Sequence, residues 1–185
     1  ALNRHQIPYR LLKSTKDIWA RDYMPIQVGR DRLVQFRYQP SYHKRKEFYR
    51  TIPQKVHEAN GFDVVSSKIN LDGGNVVRWK DKVIMTDRVF DENHGRNRSR
   101  LLADLEDLLA CQVIIIPQNK YDVTGHADGM IRFIDSNTVL VNDMDKEETI
   151  YTGRLKRILR ENNIKYIDLP FFDGRDGSAV GVYIN

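Results

Sequence analysis

Apolar positions along the chain change period several times, and each change predicts an element. Strict alternation and short apolar runs predict strands at 19–28, 33–38, 62–65, 75–79, 83–86, 113–116, 129–134, 138–142 and 166–169. Helical spacing predicts a helix over 48–60, with Phe48, Ile52, Val56 and Ala59 on one face and Gly61 as its stop. The clearest amphipathic helix covers 99–110. Ser99 is its predicted cap, and Leu101, Leu102, Leu105, Leu108 and Leu109 form its apolar face. A third helix is predicted over 146–163. Turn residues fall between the paired strands: Gly29-Arg30-Asp31, Lys80-Asp81 and Asp135-Ser136-Asn137.

These elements form a repeat of strand, strand, helix, strand. Predicted units run near 18–70, 71–117 and 126–170, and 178–185 reads as the opening strand of a fourth. An acidic residue precedes each hairpin, at Asp22, Asp72 and Asp128. The second and third units also share detail, Val76-Val77-Arg78-Trp79 matching Met130-Ile131-Arg132-Phe133. Small repeated units stack radially or linearly. In a radial array the three carboxylates face one another and favour a cation. A strand that stops without a partner leaves an exposed edge, so the chain reads as one α/β domain cut short, with self-association as an expectation.

Composition narrows the function. The 185 residues are 41% apolar, enough for a single core and too rich in Ile, Leu, Val and aromatics for disorder. No apolar run approaches the ~20 residues of a membrane helix. The opening ALNRHQIPYR has no apolar core of a secretory signal, and a single cysteine, Cys111, excludes an internal disulfide framework and a cysteine-built zinc site. A cytoplasmic setting is expected. The net charge of +5 raises nucleic-acid binding. The densest basic runs, 44–46 and Arg96, Arg98 and Arg100, are short and read as solvated faces, so no nucleic-acid partner is expected.

Three segments carry chemistry: Trp19-Ala-Arg-Asp22-Tyr-Met-Pro25, Asp72-Gly-Gly-Asn75 and Gly125-His126-Ala-Asp128-Gly129. In an extended stretch His126 and Asp128 share a face, so one moves protons and the other holds a cation. Trp19 offers a flat face to a planar cation, and Asp22 is able to accept paired N–H bonds from a guanidinium. Asp72 either closes a strand or orients a nearby histidine. Gly73 and Gly74 allow positive φ and a close backbone approach, or mark only a sharp bend before a hairpin. Arg96, Arg98 and the helix N-terminus at Ser99, in the polar loop around His94, are a candidate anion site, with a plain solvated loop as the other reading. His5, His43 and His57 read as surface residues.

Taken in order, W-x-R-D-x-x-P, D-G-G-N and H-x-D-G-x-x-R-F resemble the agmatine deiminase and bacterial peptidylarginine deiminase family of the guanidino-group-modifying superfamily. The resemblance runs from Ile18 to Asn185. It implies a pentein-type α/β propeller of five units, incomplete in this chain. It implies that Asp22 and Asp128 bind a guanidinium, that His126 is the general acid and base, that Asp72 bonds that histidine, and that Trp19 lines the pocket. It implies no metal and no organic cofactor. The implied partner is a small guanidino substrate, agmatine first and free or peptidyl arginine second. In the family a cysteine thiolate attacks the guanidinium carbon, ammonia leaves, and water releases a ureido product. Nothing here matches the family's Gly-rich cysteine segment, and Cys111, after the leucine-rich helix, reads as a buried small hydrophobe. A non-catalytic guanidine-binding module is therefore the alternative reading.

Overall fold

The computed structural model describes residues 2–43, 47–120, 122–143, 149–170 and 184. Three sheets of three strands follow one another along the chain. The first contains β1 (Ile26–Gly29), β2 (Arg32–Arg37) and β3 (Val65–Asn70). The second contains β4 (Val77–Trp79), β5 (Lys82–Thr86) and β6 (Gln112–Ile116). The third contains β7 (Ile131–Phe133), β8 (Thr138–Asp143) and β9 (Lys165–Pro170). In each, the first two strands form an antiparallel hairpin and the third joins in parallel.

A parallel third strand needs a crossover, and helices supply it. They are α2 (Pro53–Asn60) in the first sheet, α3 (Arg88–Asp91) with α4 (Arg98–Leu109) in the second, and α5 (Thr149–Glu161) in the third. A single short turn, α1 (Ala20–Tyr23), precedes β1.

Strand alternation explains how the sheets share a core. On β5, Val83 and Met85 enter one apolar cluster with Val34, Phe36 and Ile69 of the first sheet. Ile84, between them, enters a second cluster with Ile131, Val139 and Val141 of the third. The middle sheet is thus buried on both faces, which its apolar run Val-Ile-Met foreshadows. Leu101, Leu105 and Leu109, one turn apart on α4, close the first cluster. Each such side chain contributes roughly 1.5–3 kcal/mol by leaving water.

Several expected boundaries move. The strand expected from Trp19 begins as a helical turn, since Asp22 N–H donates to Trp19 O and Met24 N–H to Ala20 O. Pro25 then forces Met24 into an extended conformation (ψ 152°), and β1 starts only after it. The helix expected from Phe48 begins at Pro53, because proline fits a first helical position and no interior one. Phe48 is accordingly 80% exposed. Gly61 ends α2 at φ +71°, as expected. The strand expected over 62–65 lies at Val65–Asn70, where pairing with β2 and burial of Ile69 outweigh the apolar Phe62. Asn97, and not Ser99, caps α4 by accepting the Arg100 N–H at 3.0 Å. The fourth-unit strand at 178–185 lies outside the described residues except for Ile184, which is buried. Among the described residues no helix is long and apolar enough to cross a membrane.

Candidate active site

The three sequence segments meet in the structure, and Gly74 is where they touch. Its N–H donates to Asp22 Oδ1 at 2.9 Å, and its carbonyl accepts the Asp128 N–H at 3.0 Å. Neither Gly73 nor Gly74 has positive φ. Their requirement is space: a Cβ on Gly73 would strike the Arg21 carbonyl, and one on Gly74 would strike the His126 ring and sit 2.7 Å from Asp22 Oδ1. The close-approach reading of the paired glycines therefore holds, and the positive-φ reading does not.

Asn75 fixes the same junction from below. Its buried Oδ1 accepts from Thr86 N–H, Thr86 Oγ1–H and Ala127 N–H. The Thr86 hydroxyl also donates to the Gly125 carbonyl at 2.6 Å, although its single proton serves one of the two acceptors at a time. These bonds set the turn that presents His126 and Asp128. That segment is a turn before β7, not the extended stretch expected from the sequence.

His126 lies between two carboxylates. Its Nε2 is 3.0 Å from Asp72 Oδ2, and its Nδ1 is 3.6 Å from Asp22 Oδ1. Tyr42 O–H donates to the same Asp72 oxygen at 2.7 Å. An ionised Asp72 only accepts, so the histidine proton sits on Nε2 and leaves Nδ1 towards Asp22. Asp128 Oδ2 has the more exposed Arg21 Nε at 3.8 Å. Asp72, His126 and Asp128 are all buried.

Burial drives the carboxyl of Asp22 up to about 6, outweighing the pull of His126 in the other direction. Asp128 is also raised by burial, against His126 and Arg21. Burial pulls His126 down, but the Asp72 hydrogen bond and the charges of Asp22, Asp72 and Asp128 together lift it above its ordinary value. With both partners raised, one proton held between Nδ1 and Asp22 relieves the crowded negative charge. A bound cation would do the same.

These groups open into a cleft of about 540 Å³, whose walls include Trp19, Tyr38, Tyr42, Asp122 and Thr124. Trp19 stands at the rim, 60% exposed. Among the described residues no group of three or more His, Cys, Asp or Glu side chains has a metal-holding arrangement. The expected anion site is not assembled: Arg96 and Arg100 both pair with Asp104, and Arg98 lies over the Phe90 ring. The basic run 44–46 lies outside the described residues. Cys111 packs against the leucine-rich core, and burial raises its thiol.

The profile of the Porphyromonas-type peptidyl-arginine deiminases matches residues 3–165. The chain belongs to this deiminase family. Its fold matches that of C. jejuni agmatine deiminase at a TM-score of 0.66 and 20% identity, over 86% of this chain and 53% of that one. A cysteine-to-serine variant of that enzyme with substrate bound matches at 0.66 and 19% identity, over 86% and 54%. Agmatine deiminase of Enterococcus faecalis matches at 0.64 and 17% identity, over 83% and 49%. The chain thus spans about half the length of these solved structures. No curated protein matches the sequence at a significant level. The three sheets are those of the pentein-type α/β propeller, present here in part.

The sequence motifs of the deiminase family lead to Trp19, Asp22, Asp72, His126 and Asp128; the structure places Trp19, Asp22, His126 and Asp128 on the cleft wall and Asp72 behind His126. They do not lead to Tyr42, Tyr38 or Asp122. Tyr38 ends the strand expected over 33–38 and Tyr42 lies in a short turn at Ser41–His43, and nothing in the apolar pattern marks either side chain as facing the site.

Proposed function

We propose that the cleft binds the guanidinium group of agmatine or of an arginine side chain, and that this chain forms the substrate-holding part of a guanidino-group hydrolase. Asp22 and Asp128 receive the planar cation, and Trp19 covers it at the rim. The observation that carries this reading is the gathering of buried carboxylates around one imidazole, an arrangement that is poorly compensated until a cation arrives. Two carboxylates fix the plane of the guanidinium and aim its carbon at a nucleophile. His126, held by Asp72, gives a proton to the departing ammonia and then takes one from the attacking water.

In this scheme a cysteine thiolate attacks the guanidinium carbon, ammonia leaves, and water cleaves the resulting thiouronium to a ureido product. Cys111 does not supply that thiolate. It precedes β6, whose far end pairs with Thr86 beside the site, roughly 15 Å away at ~3.3 Å per strand residue. The attacking cysteine is then one outside these 185 residues. Agmatine is the first choice of substrate. Asp122 on the cleft wall is a carboxylate able to meet its terminal ammonium, where an arginine carboxylate would be repelled. The position of Cys111 equally favours a second reading, a guanidine-binding module without catalysis.

Calorimetry with agmatine tests the binding that both readings share. Asp128→Asn should weaken binding about 10- to 100-fold, the scale of one charge-assisted hydrogen bond. Binding unaffected by Asp128→Asn would place the ligand elsewhere.

A further inference from the structure

We propose that Tyr42 is a positioning residue for His126, acting through Asp72; this rests on the reading of His126 as the acid–base group. Asp72 Oδ2 accepts two hydrogen bonds, from Tyr42 O–H at 2.7 Å and from His126 Nε2–H at 3.0 Å. The two donors share one oxygen, so each weakens the hold of that oxygen on the other. Tyr42 also meets His126 directly, edge to face, with ring centroids 6.0 Å apart. Burial beside Asp72 raises the phenol, so Tyr42 remains a donor across the working pH range.

The tyrosine is itself held. The Arg88 guanidinium lies 5.5 Å from its ring centroid, pairs with Glu92 at 3.0 Å, and donates to Ser41 Oγ at 2.9 Å. Ser41 returns to Glu92 through both its N–H and its hydroxyl. The turn carrying Tyr42 is therefore clamped to α3, and its hydroxyl has a fixed target.

The charged and titratable groups facing His126 are Asp22 from α1, Asp72 from the loop before β4, Asp128 from its own turn, and Tyr42. Arg21 and Arg88 stand one contact further out. Tyr42 stays neutral across the working pH range and modulates the histidine through a carboxylate it shares. Removing its hydroxyl concentrates the Asp72 charge on Nε2–H and stabilises the imidazolium. Strengthening its hydroxyl as a donor does the reverse.

The test follows the His126 imidazole by NMR in the ligand-free chain, with the resonance assigned by its loss in His126→Gln. Tyr42→Phe keeps the ring and should raise the His126 midpoint by about 0.5–1 pH unit, the scale of one hydrogen bond. Site-specific 3-fluorotyrosine at 42, a stronger donor of nearly the same shape, should lower it. This second substitution keeps the test open if Tyr42→Phe fails to fold. A midpoint that moves in neither case, or moves the same way in both, overturns the proposal. Agmatine calorimetry on the unmodified chain is read separately. Opposite shifts without agmatine binding would sink the guanidine reading and leave the Tyr42–Asp72–His126 coupling in place.

Discussion

At the scale of single residues, the site trades stability for charge. Asp22 titrates near 6 in the folded chain, above its unfolded value of 3.8, because burial penalises its ionised form. The penalty is absent below pH 3.8, grows as pH rises to about 6, and is constant above. Asp22→Asn should therefore stabilise the ligand-free chain at pH 8 by about 1–3 kcal/mol, with the gain vanishing near pH 4. Urea melts of both proteins across that range check it. The same substitution should weaken agmatine binding, the pattern of a residue kept for function at the expense of stability. Gly74→Ala should do harm on both counts. Its methyl has no room between His126 and Asp22, so we expect a loss of about 1–3 kcal/mol in the melt together with loss of agmatine binding. The five motif residues were legible because their types and order are distinctive. Tyr42 was not, since one tyrosine in an irregular stretch looks like any other until the fold sets it against Asp72.

At the scale of elements, hairpins and leucine spacing were readable, and the junctions were not. The β4–β5 and β7–β8 hairpins lie within two residues of where alternation puts them. Between Trp19 and Asn70 the β2 strand and the Gly61 stop lie where expected, but the starts of β1 and α2 and the position of β3 move, because Pro25, Pro53 and pairing with β2 decide them and none of these shows in the hydrophobic period. Asn75 is the element-scale device that sequence reading passes over. It binds Thr86 at the end of β5 and the backbone of Ala127 before β7, so it ties the second sheet to the turn bearing His126. Asn75→Ala leaves these buried donors without their acceptor. We expect a loss of about 2–4 kcal/mol in chemical denaturation and a disturbed His126 resonance. Full stability with a shifted His126 signal would instead mean that Asn75 only aims the turn.

At the scale of the whole molecule, the repeat has a chemical result. Each sheet is preceded by one acidic residue, and stacking the sheets through a shared core brings Asp22, Asp72 and Asp128 together. The convergence is foreseeable from the repeat and the Asp72–His126 bond from the family resemblance, whereas the approach of His126 to Asp22 is not, because it depends on which way the turn before β7 faces. Cys111 stands outside this arrangement, half-buried against the leucine core just before β6 and not fully buried as the sequence suggests. Cys111→Ser should leave the agmatine dissociation constant within about twofold, since its contacts are with the core and not the cleft. A Cys111-dependent burst of ammonia would contradict that placement. The central claim, that buried carboxylates hold a guanidinium in place of a proton, is tested most directly by agmatine calorimetry at pH 6 in two buffers of different ionisation enthalpy. The account predicts one site per chain, proton release on binding as Asp22 ionises, and far weaker binding of 1,4-diaminobutane. A folded chain that binds agmatine with no proton release, or no better than the diamine, would contradict it.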